Sequence, residues 1–160
     1  MGNPPDNKSA QSATPASGMI RILVVDDHTP WRNFVLSKVK KTSGLEVVGE
    51  AADGAEAIAR ALELKPDLIL LDIGLPNLSG LEVARRLGDM LPASKIIFLT
   101  QNCDAELMAH CLGRGARGYV VKADAGSELL PAIEEVMRGT VYISERMKRM
   151  PRHFFVTDQR

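Results

Sequence analysis

IRILVVDD, at residues 20–27, is an apolar run that ends in two aspartates, Asp26 and Asp27. Three later apolar runs also end in a polar residue, and these residues are Asp72, Thr100 and Lys122. If the four runs are parallel strands of one sheet, their carboxyl ends lie along one edge, where open α/β sheets bind ligands. The sequence therefore predicts a crevice that contains three carboxylates, a hydroxyl and an ammonium group.

Strand and helix patterns alternate about five times from Met19 onward, which is typical of βαβ units around a parallel sheet. The predicted strands are residues 20–25, 45–51, 67–72, 95–100 and 117–121. Right-handed crossovers favour the strand order 2-1-3-4-5, which places the first and third strands side by side. We therefore predict an α/β fold, a flavodoxin-like (βα)5 doubly wound parallel sheet in a single domain.

Capping signals mark the predicted helix starts. Thr29 precedes a proline and is the predicted N-cap of the first helix, and Asp53 and Ser79 each stand three residues before a glutamate. Ser127 is the predicted cap of the last helix, because Pro131 then falls in its first turns. The second helix is predicted to bury a stripe made of Ala55, Ile58, Ala59 and Leu62.

Bulk composition narrows the class of protein. The 160 residues carry 20 basic and 20 acidic side chains, so the net charge gives no reason to expect a nucleic-acid or membrane surface. The chain has no apolar run of about 18 residues and no signal-peptide pattern, so we expect a cytoplasmic protein without a membrane partner. Cys103 and Cys111 lack metal-ligand spacing and are predicted to be reduced small hydrophobes on a helix.

Composition also predicts three segments. Residues 1–18 are rich in Pro, Ser, Ala and Asn without an apolar face, and we predict that they are disordered. Residues 19–144 form the predicted folded domain, and residues 145–160 form a short basic tail. The charges of this tail are expected to be solvated, so direct DNA binding by this chain is disfavoured. Phe154 and Phe155 are expected to cover a patch on the domain or on a partner.

The predicted crevice suits phosphoryl chemistry. Carboxylates with few other protein ligands suit Mg²⁺, and Asp26, Asp27 and Asp72 supply them. Asp72 stands where a carboxylate could accept a phosphoryl group, and Lys122 could neutralise the charge that develops. A phosphohydrolase of the haloacid dehalogenase type would need an aspartate at the position of Gly74, and a flavodoxin would not place two carboxylates in its phosphate-binding loop.

The four strand ends resemble the receiver domain of two-component response regulators over roughly residues 19–144. The resemblance implies that Asp72 is the phosphoacceptor and that Asp26, Asp27, Asp72 and the carbonyl of Gly74 hold Mg²⁺. It implies further that Lys122 and Thr100 contact the phosphoryl group. It also implies a switch in which Thr100 moves toward the phosphate while Tyr119 turns inward.

The segments GARGYVVK (115–122) and RGTVYIS (138–144) resemble the LuxR/NarL-type subgroup, which usually activates transcription. The resemblance implies a sensor histidine kinase as phosphodonor and, as output partner, a downstream protein or a second copy of the chain. It also implies that the chain is not an enzyme, except that it catalyses its own phosphorylation and dephosphorylation. The subgroup normally continues into a four-helix DNA-binding domain, for which residues 145–160 are too few. The alternative is therefore the receiver portion of a transcriptional regulator whose DNA-binding domain is absent from this chain.

Overall fold

The computed structural model describes residues 18–150 as a parallel sheet with helices on both faces. The strands are β1 (Ile20–Val25), β2 (Leu45–Ala51), β3 (Leu68–Leu71), β4 (Lys95–Thr100), β5 (Gly118–Val121) and β6 (Tyr142–Ile143). The helices are α1 (Thr29–Lys40), α2 (Gly54–Leu64), α3 (Gly80–Met90), α4 (Ala105–Gly113), α5 (Ala125–Met137) and α6 (Glu145–Lys148). A 3-10 turn, Lys122–Asp124, joins β5 to α5.

The strand order is β2-β1-β3-β4-β5-β6, and all neighbouring pairs are parallel. The predicted flavodoxin-like order of the first five strands is therefore confirmed. The prediction that five strands complete the sheet was wrong, because β6 pairs with β5 at Gly118↔Tyr142 and Tyr119↔Ile143. A strand of two residues is too short to show alternation in the sequence.

The sheet separates two apolar layers. Helices α2, α3, α4 and α6 cover one face, where Met147 of α6 is completely buried, and α1 and α5 cover the other. Strand β3 is buried on both faces, because Ile69 and Leu71 point to the first layer and Leu68 and Leu70 to the second. This explains its continuous apolar sequence and places the residue after it at the middle of the sheet edge.

Two of the predicted helix starts were wrong. The N-cap of α1 is His28, and the helix already includes Thr29. Helix α5 begins at Ala125, directly after the 3-10 turn, so Ser127 is not its cap and Pro131 lies inside the helix. Proline lacks an N–H group, so α5 loses one backbone hydrogen bond there.

The predicted caps of α2 and α3 are confirmed. The side chains of Asp53 and Ser79 accept hydrogen bonds from the backbone N–H groups of Glu56 and Glu82.

The predicted buried face of α2 was correct at Ile58, which packs against the apolar layer, and wrong at its other three positions. Ala55 and Ala59 are exposed and Leu62 is 41% exposed, whereas Ala57 and Ala61 are buried. Alanines stand at every second position from 55 to 61, so they carried no helical periodicity that could identify the inner face.

The two cysteines differ in environment. Cys103 is exposed in the loop before α4, contrary to the prediction of a helical position, whereas Cys111 is buried in α4. Burial raises the pKa of the Cys111 thiol to about 11, so it stays protonated at neutral pH. No helix within residues 18–150 has the length and apolar character needed to cross a bilayer.

The predictions for the two chain ends fall largely outside the described residues. The predicted disordered segment is described only at Gly18, and Arg152, Phe154 and Phe155 of the predicted tail lie beyond Met150. Residues 145–150 are described, and they pack on the domain through Met147, with Met150 against the same apolar layer.

Candidate functional site

The three predicted carboxylates meet at the edge of the sheet. Asp26 follows β1 and Asp72 follows β3, and these neighbouring strands pair Val25 with Leu71. The backbone N–H of Asp72 donates to the carbonyl of Val25 across 3.0 Å, which places the two strand ends at the same level. Oxygen atoms of Asp26, Asp27 and Asp72 all lie within 4.8 Å of one another.

Lys122 extends from the end of β5 into this cluster. Its Nζ lies 2.5 Å from Oδ2 of Asp26 and 3.6 Å from Oδ2 of Asp72. The other oxygen of Asp26, Oδ1, accepts a hydrogen bond from the backbone N–H of His28 across 2.8 Å. The buried Asp26 carboxylate therefore has a partner on each oxygen, and the ammonium group partly neutralises three neighbouring acids.

The charge balance of the cluster acts on Asp72. Burial is the largest effect and raises the pKa of Asp72, the Lys122 ammonium lowers it, and the negative charge of Asp26 raises it again. The net pKa of Asp72 lies above its ordinary value of 3.8. An ionised Asp72 is thus held at a cost in free energy, which added positive charge would reduce.

The loop after Asp72 contains Gly74 and ends at Gly80, the first residue of α3. The N–H of Gly74 approaches Oδ1 of Asp72 at 3.3 Å. Gly80 starts α3 so close to the loop that a Cβ atom there would lie 2.0 Å from the carbonyl oxygen of Asp72. Only glycine fits this approach, and sequence reasoning overlooked it. Whether the Gly74 carbonyl is a metal ligand stays a prediction.

Thr100 and Tyr119 lie on neighbouring strands and share a partner. Thr100 ends β4 and is buried, and its hydroxyl oxygen accepts a hydrogen bond from the N–H of Asn102 across 3.1 Å. Tyr119 of β5 is buried, and its hydroxyl donates to the carbonyl of Asn102 across 2.8 Å. Burial raises the pKa of Tyr119, so the phenol stays protonated. The structure thus joins the two predicted switch residues through the backbone of Asn102.

Two further residues that support the site escaped sequence reasoning. The centroid of the Trp31 ring, on α1, lies 5.0 Å from Nζ of Lys122. The buried Ser144 hydroxyl accepts a hydrogen bond from the N–H of Val121 across 2.8 Å, directly before Lys122. A serine after a two-residue strand carries no sequence signal for such a contact.

The donor set fits a hard divalent cation. Mg²⁺ takes oxygen ligands at about 2.0–2.1 Å, so two oxygens on opposite sides of the ion are about 4.2 Å apart. One oxygen from each of the three carboxylates lies within 4.8 Å of the other two, so side-chain movements of about 1–2 Å would bring them into one octahedral shell, in which adjacent ligands are about 2.9 Å apart. Mg²⁺ also keeps several waters, which suits a site where Asp27 is exposed and Asp26 is buried.

Comparisons with known proteins agree on one kind of domain. The family described as the response regulator receiver domain matches residues 22–134. The response regulator GacA of Pseudomonas viridiflava is 38% identical over 129 residues, which cover 81% of this chain and 60% of that protein. The oxygen regulatory protein NreC of Staphylococcus aureus strain JH9 is 36% identical over 129 residues, which cover 80% of this chain and 59% of that protein.

A solved structure matches to the same extent. The crystal structure of a two-component response regulator of the LuxR family from Aurantimonas sp. SI85-9A1 superposes with a TM-score of 0.79 and 31% sequence identity. The match covers 82% of this chain and 94% of that one. By contrast, this chain spans only about three fifths of the length of the two curated relatives.

Proposed function

The chain belongs to the response regulator receiver domain family, of the LuxR/NarL type that acts in two-component signalling, and on this premise we propose that Asp72 is its phosphoacceptor. Receiver domains of this family take phosphate from sensor kinases, and we propose a sensor histidine kinase as the donor. The observation that carries the proposal is the meeting of Asp26, Asp27, Asp72 and Lys122 at one sheet edge.

The proposed step transfers a phosphoryl group between two side chains. A carboxylate oxygen of Asp72 forms a bond to phosphorus, and the phosphorus–nitrogen bond of the kinase phosphohistidine breaks. The imidazole leaves with the electron pair and takes up a proton, and Asp72 becomes an acyl phosphate. No general base is needed on this chain, because Asp72 attacks as the carboxylate.

The residues around Asp72 supply charge and orientation. Lys122, now 3.6 Å from Asp72, is within a short side-chain movement of an attached phosphoryl oxygen, and Thr100 offers a hydroxyl from the adjacent strand end. Asp26, Asp27, Asp72 and the Gly74 carbonyl would hold Mg²⁺. The bound ion would supply positive charge that offsets the carboxylates and the incoming phosphate.

We propose that output depends on Asn102. If the Thr100 hydroxyl turns toward the phosphoryl group, the N–H of Asn102 loses its acceptor, and the carbonyl that holds Tyr119 belongs to the same residue. A new dianion that biases two arrangements of one loop is the kind of element on which switches are built. The surface around β5, α4 and α5 would then bind a downstream protein or a second copy of the chain.

A second candidate concerns the whole protein. The curated relatives are longer than the matched region, and this chain spans about three fifths of their length. This favours the alternative that the domain is the receiver portion of a longer transcriptional regulator, in which another domain would bind DNA. The phosphorylation chemistry is the same under either candidate, and we propose a cytoplasmic location for both.

Mass spectrometry of the intact protein tests the phosphoacceptor. Incubation with Mg²⁺ and acetyl phosphate should add one acid-labile phosphate, whereas chelation of Mg²⁺ or the change Asp72→Ala should abolish the gain. Asp89→Ala is the matched control, because this carboxylate is exposed on α3. A gain that persists in Asp72→Ala, or that never forms in the parent, would overturn the assignment.

A further inference from the structure

Trp31 places an aromatic face against the ammonium group of Lys122. It is the only tryptophan of the chain and lies in the first turn of α1, half-buried. The centroid of its ring is 5.0 Å from Nζ of Lys122, within the range at which a cation is attracted to an aromatic face. The ring of Phe34 is its neighbour on α1, with the two ring centroids 5.1 Å apart and the planes tilted by 33°.

The ammonium group therefore has three neighbours of two kinds. Asp26 and Asp72 attract it as anions, and Trp31 attracts it through the electron-rich face of the indole. The side chain of Lys122 is only 10% exposed, and an attraction to an aromatic ring is stronger when the cation is shielded from water. An indole face carries no formal charge, so a metal cation bound by the carboxylates does not compete for it as it competes for Asp26.

We propose that Trp31 is a positioning residue. Its ring keeps the ammonium group of Lys122 at the phosphoryl site when Asp26 and Asp72 bind a metal cation and Asp72 takes up the phosphoryl group. The inference rests on the proposed phosphorylation of Asp72. Trp31 would act through Lys122, at the moment when the ammonium moves from Asp26 to a phosphoryl oxygen. It would thereby support the rate of phosphorylation.

Graded substitutions test the contact. Tryptophan binds a cation more strongly than phenylalanine does, and leucine offers no aromatic face. With saturating Mg²⁺ and acetyl phosphate, Trp31→Leu should slow the initial rate of phosphorylation by about fivefold, and Trp31→Phe should restore part of it. Leu62→Ala, at an exposed apolar side chain of α2, should leave the rate within about twofold of the parent. Equal rates in the parent and Trp31→Leu, or no recovery in Trp31→Phe, would overturn the proposal.

A double-mutant cycle on stability tests the same contact without any phosphoryl transfer. Urea unfolding of Trp31→Leu, Lys122→Met and the double variant should give non-additive changes, whereas Leu62→Ala combined with Lys122→Met should be additive. If coupling is found but the parent takes no phosphate, the proposed function fails while the contact stands. Additivity of Trp31→Leu with Lys122→Met would overturn the inference by itself.

Discussion

The hydroxyl of Tyr119 donates a hydrogen bond to the backbone carbonyl of Asn102 across 2.8 Å, so the ring of Tyr119 is fixed inside the domain. The N–H of the same Asn102 donates to the hydroxyl oxygen of Thr100. One residue of the β4–α4 loop thus connects the two side chains that we propose as the switch. In this structure the side chain of Tyr119 is already turned inward.

Tyr119→Phe keeps the buried ring and removes this hydrogen bond. We expect the free energy of unfolding to fall by about 1 kcal/mol, because a single neutral hydrogen bond contributes that much. Urea denaturation measures the change, and Tyr142→Phe alters the other tyrosine of the chain as a control. A Tyr119→Phe protein as stable as the parent would mean that the bond does not hold the ring in solution.

Asp72→Asn removes one charge from the acidic cluster. Because burial and neighbouring acids raise the pKa of Asp72, its ionised form destabilises the fold, and the substitution should raise the free energy of unfolding by about 1 kcal/mol at pH 7 without Mg²⁺. Denaturation in the presence of a chelator measures this gain. Asp89→Asn, at an exposed site, should change it little.

The gain from Asp72→Asn should depend on pH. The folded-state pKa of Asp72 lies above 3.8, so the ionised carboxylate costs stability fully above that raised pKa. Below about 3.8 the group is protonated in both the folded and the unfolded state, and the cost vanishes. The stability difference between variant and parent should therefore shrink as the pH falls from 7 toward 4. A difference that grows on acidification would contradict a raised pKa.

Ser144→Ala should destabilise the end of β5. Its buried hydroxyl accepts the hydrogen bond from the N–H of Val121, and without it that N–H is left unpaired inside the protein. The expected loss is about 1–3 kcal/mol of unfolding free energy. Ser127→Ala removes a hydroxyl from an exposed position on α5 and should cost much less. An equal fall in the free energy of unfolding for both variants would show that the hydrogen bond between Val121 and Ser144 does not stabilise the fold.

The burial of Met147 indicates that α6 stabilises the domain. Met147→Ala should lower the free energy of unfolding by about 2–4 kcal/mol, because the side chain is completely buried. Met90→Ala, at a methionine that is 44% exposed, is the matched control. A chain that ends at Ser144 should melt at a lower temperature than one that ends at Met150, because it lacks Met147. Equal melting temperatures for the two shortened chains would show that α6 does not stabilise the domain.

A measurement of DNA binding tests whether the residues after Met150 act as an output element. Their basic side chains could attract phosphates only non-specifically, with an affinity that falls steeply as salt rises. Fluorescence anisotropy with the full chain and with a chain ending at Met150 should show no sequence-selective binding at physiological salt. Selective binding by the full chain alone would make the terminal segment an output element.

The sequence by itself determined the first five strands, their order and the composition of the candidate site. Apolar runs that end in Asp26, Asp72, Thr100 and Lys122 define where each strand stops, and parallel strands stop at a common edge. Local capping chemistry likewise located the starts of α2 and α3. The strand limits and helix caps are readable because each depends on residues only a few positions apart, and the strand order follows from the right-handed crossovers between parallel strands.

Only the tertiary structure decided which groups contact one another. Lys122 pairs most closely with Asp26, 96 positions earlier, and lies over Trp31. Ser144, which accepts a hydrogen bond from Val121, directly follows a strand too short to predict. The inner face of α2 and the start of α5 were likewise set by packing against the sheet. A sequence pattern records how often a residue is buried or capped, but a pairing between distant residues depends on where folding places both, and no local pattern contains that information.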